Sequence, residues 1–517
     1  MDGDNFGAAH REKSGGIQVA RPFRHYKPYQ NRKALGDKTV DETCGLDMSM
    51  QGLKLISPKI MSWEALSTLS LSYNSISEIP SEISRLTGLS VLDLSHNRIK
   101  RVPRELGKLF NLKELRLGSN LLSSIPLEFG MLYQMEKLDL DDNPLIGQIQ
   151  IVYNTSGGCG VIRYCRDNVA MNFPYWEREW IFAPQEESTE YTETLTVATY
   201  NILCPTYANS QSFSYVPAWA LQWETRKATI LQEATLYGAD ILCIQEMDTG
   251  SYSDYFREQF KIRGDYDSVF YQKSRARTMV EGEKRLVDGC AIFWKGSFFQ
   301  MIEQRCIYLS QLFPQKVISE QEHIANRFLS RDNIGLAIVL EREGGRHTVV
   351  VNTHMHWDPE YPDVKTLQGI MLLREVDAIM QRYPNAELVI CGDFNSLPNS
   401  SLYEMYANGT LKPNAKDLLG LSYEPYSSKG YTHNLSLSES YSFVNMGFTN
   451  YTPGFAGVID YIWYNDRLKP ACSLGPVDEE YVSKIVGFPT HHYPSDHLIL
   501  VTQFKCKGQQ WKGNMNK

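Results

Sequence analysis

The chain has 517 residues, 42% of them hydrophobic and 22% charged, with a formal net charge of -8. This length and composition predict a globular protein of two or three domains, and no apolar run approaches the roughly 18 residues that a membrane span needs. Residues 1–16 are polar and acidic, unlike a secretory signal, so we expect an intracellular protein, cytoplasmic and nuclear, whose ten cysteines are free thiols.

The first segment, residues 1–45, is polar and has no hydrophobic period, which predicts a mostly disordered extension. Residues 21–33 mix aromatic and basic side chains, a composition that can contact RNA or a partner, although a solvated tail is the plainer alternative. The acidity lies further on, because residues 149–517 hold 33 basic and 42 acidic residues. That balance argues against broad binding of duplex nucleic acid and suits a carboxylate-lined site that meets a polyanion through metal ions.

Residues 46–148 repeat with a period of 23. Asparagine recurs at Asn74, Asn97, Asn120 and Asn143, and leucines and Ile-Pro or Val-Pro pairs recur in phase with it. This pattern is typical of leucine-rich repeats, whose short units bury their apolar faces only by stacking. We expect each asparagine amide to bond backbone groups of adjacent coils. Leu46 and Ile56 keep the register while Gln51 replaces the asparagine, which predicts an N-terminal capping unit.

The predicted face of this solenoid is polar. Its exposed positions are expected to be Ser70, Ser72, Asp93, Ser95, Arg116, Gly118, Asp139 and Asp141. A face of this kind suits neither a membrane nor RNA, so the sequence predicts a protein partner.

Residues 149–190 are interpreted as a linker that packs the solenoid against a catalytic domain over 191–510. In the latter, apolar runs alternate with helical stretches at 224–237 and 364–382. The alternation predicts an α/β sandwich of two sheets flanked by helices.

Polar residues follow the ends of these apolar runs. They are Asn201, Gln245-Glu246, His354 and His356, Asp393 and Asn395, and Ser495-Asp496-His497, with Asp460 inside its own run. Each one alone is more typical of a cap or turn. Together they predict one cleft, because carboxylates and amides at strand ends can converge on a hard divalent ion.

These motifs resemble the exonuclease–endonuclease–phosphatase superfamily, which implies a deoxyribonuclease I-like fold. Two further segments, NTHMHWDPEYPDVK (352–365) and FAGVIDYIWY (455–464), together with the repeats upstream, resemble the carbon-catabolite-repressor family of poly(A)-specific ribonucleases. The resemblance implies a 3′–5′ exoribonuclease that releases AMP from poly(A) tails of mRNA. It also implies a place in the carbon-catabolite-repressor–Not complex, with a second deadenylase subunit docked on the repeats and possible links to transcription.

The chemistry of a phosphodiester suggests a role for each residue. Metal ions neutralise the phosphoryl oxygens and help ionise water, so we expect two Mg²⁺ ions. The expected metal ligands are Glu246, Asn201, Asp393 and Asp496. Asn395 is expected to orient phosphate or water, and His354 to donate to a phosphoryl oxygen. His497 is expected to contact the scissile phosphate or to act in proton transfer, and the division of the base role between Asp393 and His497 stays open at this point. Asp460 is expected to fix the tautomer of His497.

The substrate prediction rests on the resemblance, in which Pro359 and Phe455 match positions that sandwich an adenine base. Such a slot favours a single-stranded 3′ end, although two rings packed in a core are the alternative. Two other functions stay open at this point: a phosphatase or phospholipase on small phosphate esters, and a scaffold with an inactive nuclease fold. Arg226 is interpreted as structural, paired with an acidic neighbour, and His356 also as structural.

Overall fold

The structure, a computed structural model, describes residues 44–169, 175–184, 191–313 and 322–508. The predictions for residues 1–43, including the basic and aromatic segment 21–33, lie outside these residues. The chain divides into two compact units, Met1–Cys165 and Arg166–Lys517. Across the described residues, no helix is both long and apolar enough to cross a membrane.

The first unit is a solenoid with one parallel five-stranded sheet. Its strands, in spatial order, are β1 (Cys44–Asp47), β2 (Leu66–Ser70), β3 (Val91–Asp93), β4 (Glu114–Arg116) and β5 (Lys137–Asp139). Short 3₁₀ turns on the opposite side complete the coils at Pro58–Ser62, Ser81–Arg85, Arg104–Lys108 and Leu127–Met131. This confirms the predicted leucine-rich repeat.

The asparagine ladder has the predicted role. The Asn97 amide nitrogen donates to Leu71 O at 2.9 Å in the preceding coil and to Leu94 O at 3.1 Å in its own. Its side-chain oxygen accepts from Ile76 N at 3.0 Å. One amide therefore satisfies backbone groups of two coils, and the next repeats make the same bonds 23 residues later.

The predicted exposed face needs a correction at two positions. Ser72 is buried, with its hydroxyl 3.4 Å from that of Ser70. Gly118 is buried because Asp139 covers it: a Cβ there would lie 2.9 Å from the Asp139 carboxylate. Arg116 lies 3.5 Å from Asp93 across adjacent strands, so part of the face is neutralised internally.

The stretch predicted as a linker, 149–190, also needs a correction. Helix α1 (Gly147–Asn168) contributes Ile149, Val161 and Ile162 to the solenoid core, and is kinked at Gly157. Its apolar positions cover the end of the repeats, where a further coil would otherwise stack. Further on, β6 (Trp180–Phe182) joins a sheet of the second unit. Residues 170–174 and 185–190 lie outside the described part.

Over its described residues, the second unit contains two large sheets and two small two-stranded sheets. Its remaining strands are β7 (Tyr191–Asn201), β8 (Ile241–Asp248), β9 (Tyr266–Gln272), β10 (Asp288–Lys295), β11 (Gln300–Tyr308), β12 (Ile334–Arg342), β13 (Arg346–His354), β14 (Glu387–Asp393), β15 (Thr410–Leu411), β16 (Tyr431–Thr432), β17 (Ser438–Glu439), β18 (Asn450–Thr452), β19 (Phe455–Gly457), β20 (Asp460–Tyr464), β21 (Leu468–Leu474) and β22 (Leu500–Lys507). One large sheet has the order β6-β21-β22-β7-β8-β10-β9 and the other β11-β12-β13-β14-β20-β17, and the small sheets are β15-β16 and β18-β19.

The large sheets pack face to face around an apolar core that includes Val197 and Cys243 from one sheet and Val350 and Cys391 from the other. Helices cover the outer faces. They are α2 (Trp223–Leu236) and α3 (Arg257–Gly264) on the first sheet, and α4 (Pro362–Arg382) and α5 (Ser401–Asn408) on the second. Both long helices match the predicted ranges within two residues, and the predicted two-sheet sandwich is confirmed.

Candidate active site

The predicted site residues converge on one cleft of about 1060 Å³ in the second unit. Those that line it are Glu246, His354, His356, Pro359, Asp393, Asn395, Phe455, Asp496 and His497. Asn201 and Asp460 are buried and hydrogen-bonded to lining residues. Both sheets supply residues, because β7 and β8 end at the same edge as β13 and β14.

Glu246 reaches the cleft through a β-bulge. Gly289 of β10 pairs with Met247 and the adjacent Cys290 pairs with Gln245, which leaves Glu246 unmatched with a positive φ of 60°. A bulge of this kind re-aims a side chain, and a non-glycine residue in this conformation costs of order 1–3 kcal/mol. The Glu246 carboxylate accepts from Cys204 N at 2.8 Å and from the Asn201 amide at 3.0 Å.

Asp393 stands at the centre of the polar network. Its Oδ2 accepts from the Asn201 amide at 3.0 Å and lies 3.6 Å from Nε2 of both His354 and His497. The preceding Gly392 has a φ of 146°, and a Cβ there would lie 2.0 Å from Thr353 O. Glycine is therefore required for β13 and β14 to bring His354 and Asp393 side by side.

The contact predicted between His497 and Asp460 is present, with 2.8 Å between His497 Nδ1 and Asp460 Oδ2. The Thr449 hydroxyl donates to the same oxygen at 2.6 Å and fixes the carboxylate. Burial opposes protonation of His497, but Asp460, Asp393 and Asp496 outweigh it and raise its pKa well above the ordinary value. The imidazole is thus held cationic, with Nε2 turned to Asp393.

His354 is in the opposite state. Burial, aided by the nearby Lys273 cation, holds the pKa of His354 well below its usual range, so the ring is neutral. Its Nδ1 is buried without a hydrogen-bond partner among the described residues. His356, predicted to be structural, has its backbone N–H bonded to Gln368 of α4 at 2.9 Å, but its side chain also lines the cleft.

Helix α4 also holds the loop after β14. The Lys365 ammonium donates to Asn395 O at 2.9 Å, and the Asn395 amide donates to Met355 O at 3.1 Å. The Asn395 backbone N–H bonds Asp393 at 2.9 Å, with a positive φ of 48°. Asn395 therefore links the loops that follow the two central strands, in a conformation that asparagine tolerates better than most residues.

The donor set fits a hard divalent cation. Burial and the neighbouring Asp496 and Asp288 raise the pKa of Glu246, and burial and Asp460 raise that of Asp393. These shifts report crowded negative charge that a cation would neutralise. Asp393, Asp460 and His497 have ligand atoms within 4.8 Å of one another. Because His497 is protonated and paired with Asp460, the carboxylates of Glu246 and Asp393 make the better oxygen site. The prediction that Asn201 is a metal ligand needs a correction, because its NH2 group faces these carboxylates and its side-chain oxygen accepts from Leu203 N at 3.0 Å.

The sequence analysis missed a basic group on the cleft wall. Lys273 Nζ and Arg275 Nη2 each lie 2.7 Å from the buried Asp288 carboxylate, and Tyr207 donates to it at 2.9 Å. Lys273, Arg275 and Tyr207 line the cleft. No polar motif in the sequence indicates them, because Lys273 follows the edge strand β9 and Asp288 is the first residue of β10, whose next residues are apolar.

Pro359 and Phe455 lie apart from the core, in the same cleft as the carboxylates. Phe455 is 38% exposed and opens the short strand β19, while Pro359 is exposed after β13. The alternative of two rings packed in a core is therefore wrong. Trp357, 70% exposed, adds a further aromatic ring to this part of the cleft.

Comparisons with known proteins agree with this architecture. Residues 198–497 match the Endonuclease/Exonuclease/phosphatase family, and residues 46–99 and 87–145 match the Leucine rich repeat. The CCR4-Not complex 3′-5′-exoribonuclease subunit Ccr4 of Coccidioides immitis is 38% identical, over 97% of this chain and 73% of that protein. The protein of the same name from Aspergillus oryzae is 40% identical, over 90% and 68% respectively.

Coverage is lower for the Ccr4 subunit of Mycosarcoma maydis, which is 38% identical over 71% of this chain and 60% of its own length. The chain thus spans less than two thirds of that relative. Among solved structures, the crystal structure of ANGEL2, a 2′,3′-cyclic phosphatase, is 25% identical with a TM-score of 0.51. That match covers 64% of this chain and 98% of that one.

Proposed function

Since this chain belongs to the family of CCR4-Not complex 3′-5′-exoribonuclease subunits, we propose that it is a Mg²⁺-dependent 3′–5′ exoribonuclease that shortens mRNA poly(A) tails and releases AMP. One observation carries the proposal: the carboxylates of Glu246 and Asp393, joined by one Asn201 amide, share a cleft with the exposed Pro359 and Phe455. Carboxylates that can bind a metal ion lie beside an apolar slot. This arrangement suits the end of an RNA chain, where the last base stacks in the slot and the last phosphodiester reaches the carboxylates.

When bound, Mg²⁺ would neutralise the phosphoryl oxygens and favour ionisation of the attacking water, with the carboxylates of Glu246, Asp393 and Asp496 as its ligands. The Asn201 NH2 group would hold the Glu246 and Asp393 carboxylates in place. Two ions are proposed. The Asp393 carboxylate accepts the proton of the water. The neutral His354 donates from Nε2 to a phosphoryl oxygen. As water attacks the phosphorus and the bond to the 3′ oxygen of the preceding nucleotide breaks, the cationic His497 gives its Nε2 proton to that leaving oxygen.

Asp460 does not touch substrate in this scheme. Its bond to His497 Nδ1 keeps the remaining proton of the imidazole on Nε2, and Thr449 prevents the carboxylate from turning away. The Asn395 amide orients the phosphate or the attacking water without adding charge, and Pro359 and Phe455 hold the terminal adenine.

The decisive experiment follows products on a 5′-labelled RNA with a 3′ tail of adenosines, with Mg²⁺ or with EDTA. The proposal expects a ladder that shortens from the 3′ end and AMP as the released product. It expects no ladder with EDTA, and none with Glu246→Ala, whose melting temperature without Mg²⁺ should match that of wild type. A parallel panel holds RNA with a 2′,3′-cyclic phosphate end, inositol phosphates and sphingomyelin. Turnover of that panel with an intact tail would contradict the proposal and favour a phosphatase or phospholipase, and no turnover at all would favour an inactive scaffold.

The partners belong to the proposal as well. The relatives are named as subunits of the CCR4-Not complex, and we propose that this chain joins the corresponding scaffold, in cytoplasm and nucleus. A second deadenylase subunit would dock on the polar face of the repeats, where Asp93, Arg116, Asp139 and Asp141 offer charged contacts.

A further inference from the structure

Arg226 is a buried cation whose position calls for an explanation. It lies in α2, is 1% exposed, and bonds backbone carbonyls where the sequence analysis expected an acidic partner. Its Nε donates to Pro494 O at 2.6 Å, and its Nη2 donates to Ile202 O and Leu203 O, both at 2.6 Å. Burial lowers its pKa to about 10, which still leaves the guanidinium charged at neutral pH.

The two carbonyls that accept from Nη2 belong to peptide groups whose N–H ends point to Asn201 and Glu246 at the candidate metal site. The peptide that carries Ile202 O also carries Leu203 N, which donates to the Asn201 side-chain oxygen at 3.0 Å. The peptide that carries Leu203 O also carries Cys204 N, which donates to Glu246 at 2.8 Å. In a trans peptide the C=O and N–H are antiparallel and coplanar, so fixing the oxygen fixes the direction of the N–H.

This segment needs to be held. Leu203 has a positive φ of 53°, a conformation that costs a non-glycine residue of order 1–3 kcal/mol and persists only when its surroundings enforce it. The third carbonyl, on Pro494, precedes Ser495, whose hydroxyl donates to Asn201 O at 2.6 Å and accepts from His497 N at 3.2 Å. One guanidinium thus joins the segment after β7 to the segment that carries Asp496 and His497.

From this arrangement we propose that Arg226 is a positioning residue for the metal site: through two peptide groups it aims the N–H donors that orient Asn201 and Glu246, and through Pro494 it sets the segment bearing Asp496. The inference rests on the proposed metal-dependent function. Its geometry requires a planar fork that serves three acceptors at once, which lysine does not provide.

The chain offers a matched control. Arg178 is also buried and also bonds three backbone carbonyls, donating to Gly475 O and Ile499 O at 2.7 Å and to Leu474 O at 3.4 Å. None of these peptides bonds Asn201 or Glu246. Arg178→Lys therefore reproduces the loss of a buried guanidinium fork without touching the peptides that face the metal site.

The experiment measures Mg²⁺ binding by calorimetry and by the shift in melting temperature, on the full chain without RNA. We expect Arg226→Lys to weaken Mg²⁺ binding about tenfold or more, as loss of an outer partner of a ligand does, and Arg178→Lys to leave it within about twofold of wild type. We also expect kcat on oligo(A) to fall more than KM rises. Unchanged affinity in Arg226→Lys, or an equal loss in Arg178→Lys, would overturn the inference.

Two arms cover a variant that does not fold and a failure of the underlying function. In metal-free wild type, the backbone amides of Leu203 and Cys204 should exchange hydrogen as slowly as the strand amides of β8. Fast exchange at both Leu203 and Cys204 would overturn the inference without any variant. A wild-type chain that binds no divalent ion would refute the proposed function together with this inference, whereas unchanged affinity in the variant refutes the inference alone.

Discussion

Replacement of Phe455 by alanine tests whether the cleft reads the base. Phe455 is 38% exposed at the start of a three-residue strand, so its truncation removes little core packing. We expect a loss of stability well below the about 3–5 kcal/mol that a fully buried phenylalanine costs. Stacking of a base on an aromatic ring contributes about 1–3 kcal/mol. At 1.4 kcal/mol per factor of ten, kcat/KM on the adenosine tail should fall by about 5- to 150-fold.

The assay compares kcat/KM of wild type and Phe455→Ala on RNAs that differ only in their 3′ tails, of adenosine, uridine or cytidine. The adenosine tail should lose most, because the slot contacts the base while Glu246 and Asp393 still serve the phosphate. Phe448→Ala is the control. Phe448 is partly buried, stacks on Tyr451 at 4.8 Å between ring centroids, and is not among the cleft-lining residues. It should lower the melting temperature and leave the preference intact.

Two results would refute the reasoning. An equal loss of rate on all three tails would mean that Phe455 shapes the reacting centre and not the base slot. A large drop in melting temperature with an unchanged adenosine preference would mean that the side chain is mainly structural, despite its exposure.

The other predictions concern metal, pH and the solenoid. In metal-free protein at pH 7 we expect Glu246→Gln to melt no lower than wild type. The pKa of Glu246 is raised in the folded state, so above its ordinary pKa the ionised carboxylate disfavours folding. Added Mg²⁺ should raise the melting temperature of wild type only. A lower melting temperature in the metal-free variant would contradict this. Asp460→Asn should destabilise the metal-free protein. The pKa of His497 is raised in the folded state, so the stabilisation from its pair with Asp460 is complete below about pH 6.5 and disappears as the pH rises through the folded pKa. A loss of stability in Asp460→Asn that grows with pH would contradict this. Deletion of residues 46–165 should abolish capture of the second deadenylase subunit and leave hydrolysis of oligo(A) by residues 166–517 intact. If capture survives the deletion, the docking surface lies on the nuclease domain.

Much of the site could be predicted because its residues follow apolar strands. Asn201, Glu246, His354 and Asp393 each end, or nearly end, a buried run, and β7, β8, β13 and β14 lie where those runs are. The 23-residue period likewise fixes every coil of the solenoid, since one asparagine serves two coils.

Other features left no readable pattern. Edge strands β9 and β11 alternate polar and apolar residues or carry charge, so no continuous hydrophobic run marks them. The partners of Arg226 could not be predicted, because they are backbone carbonyls and every residue has one. The bulge at Glu246 depends on β10, where Gly289 pairs with Met247, 42 positions away in the chain, so neither sequence segment alone indicates it. Helix α1 was assigned to a linker because its apolar positions become meaningful only against the last coil.

The distribution of the site over both sheets has a consequence for synthesis of the protein on the ribosome. Asn201 and Glu246 are made early, but Asp496 and His497 come some 250 residues after Glu246, and β22 then pairs with β7, the first long strand of the unit. Until β22 has left the exit tunnel, β7 has only β8 as a neighbour and His497 is not in place. In a growing chain the candidate site is therefore incomplete, and it is assembled only when translation of this domain is finished.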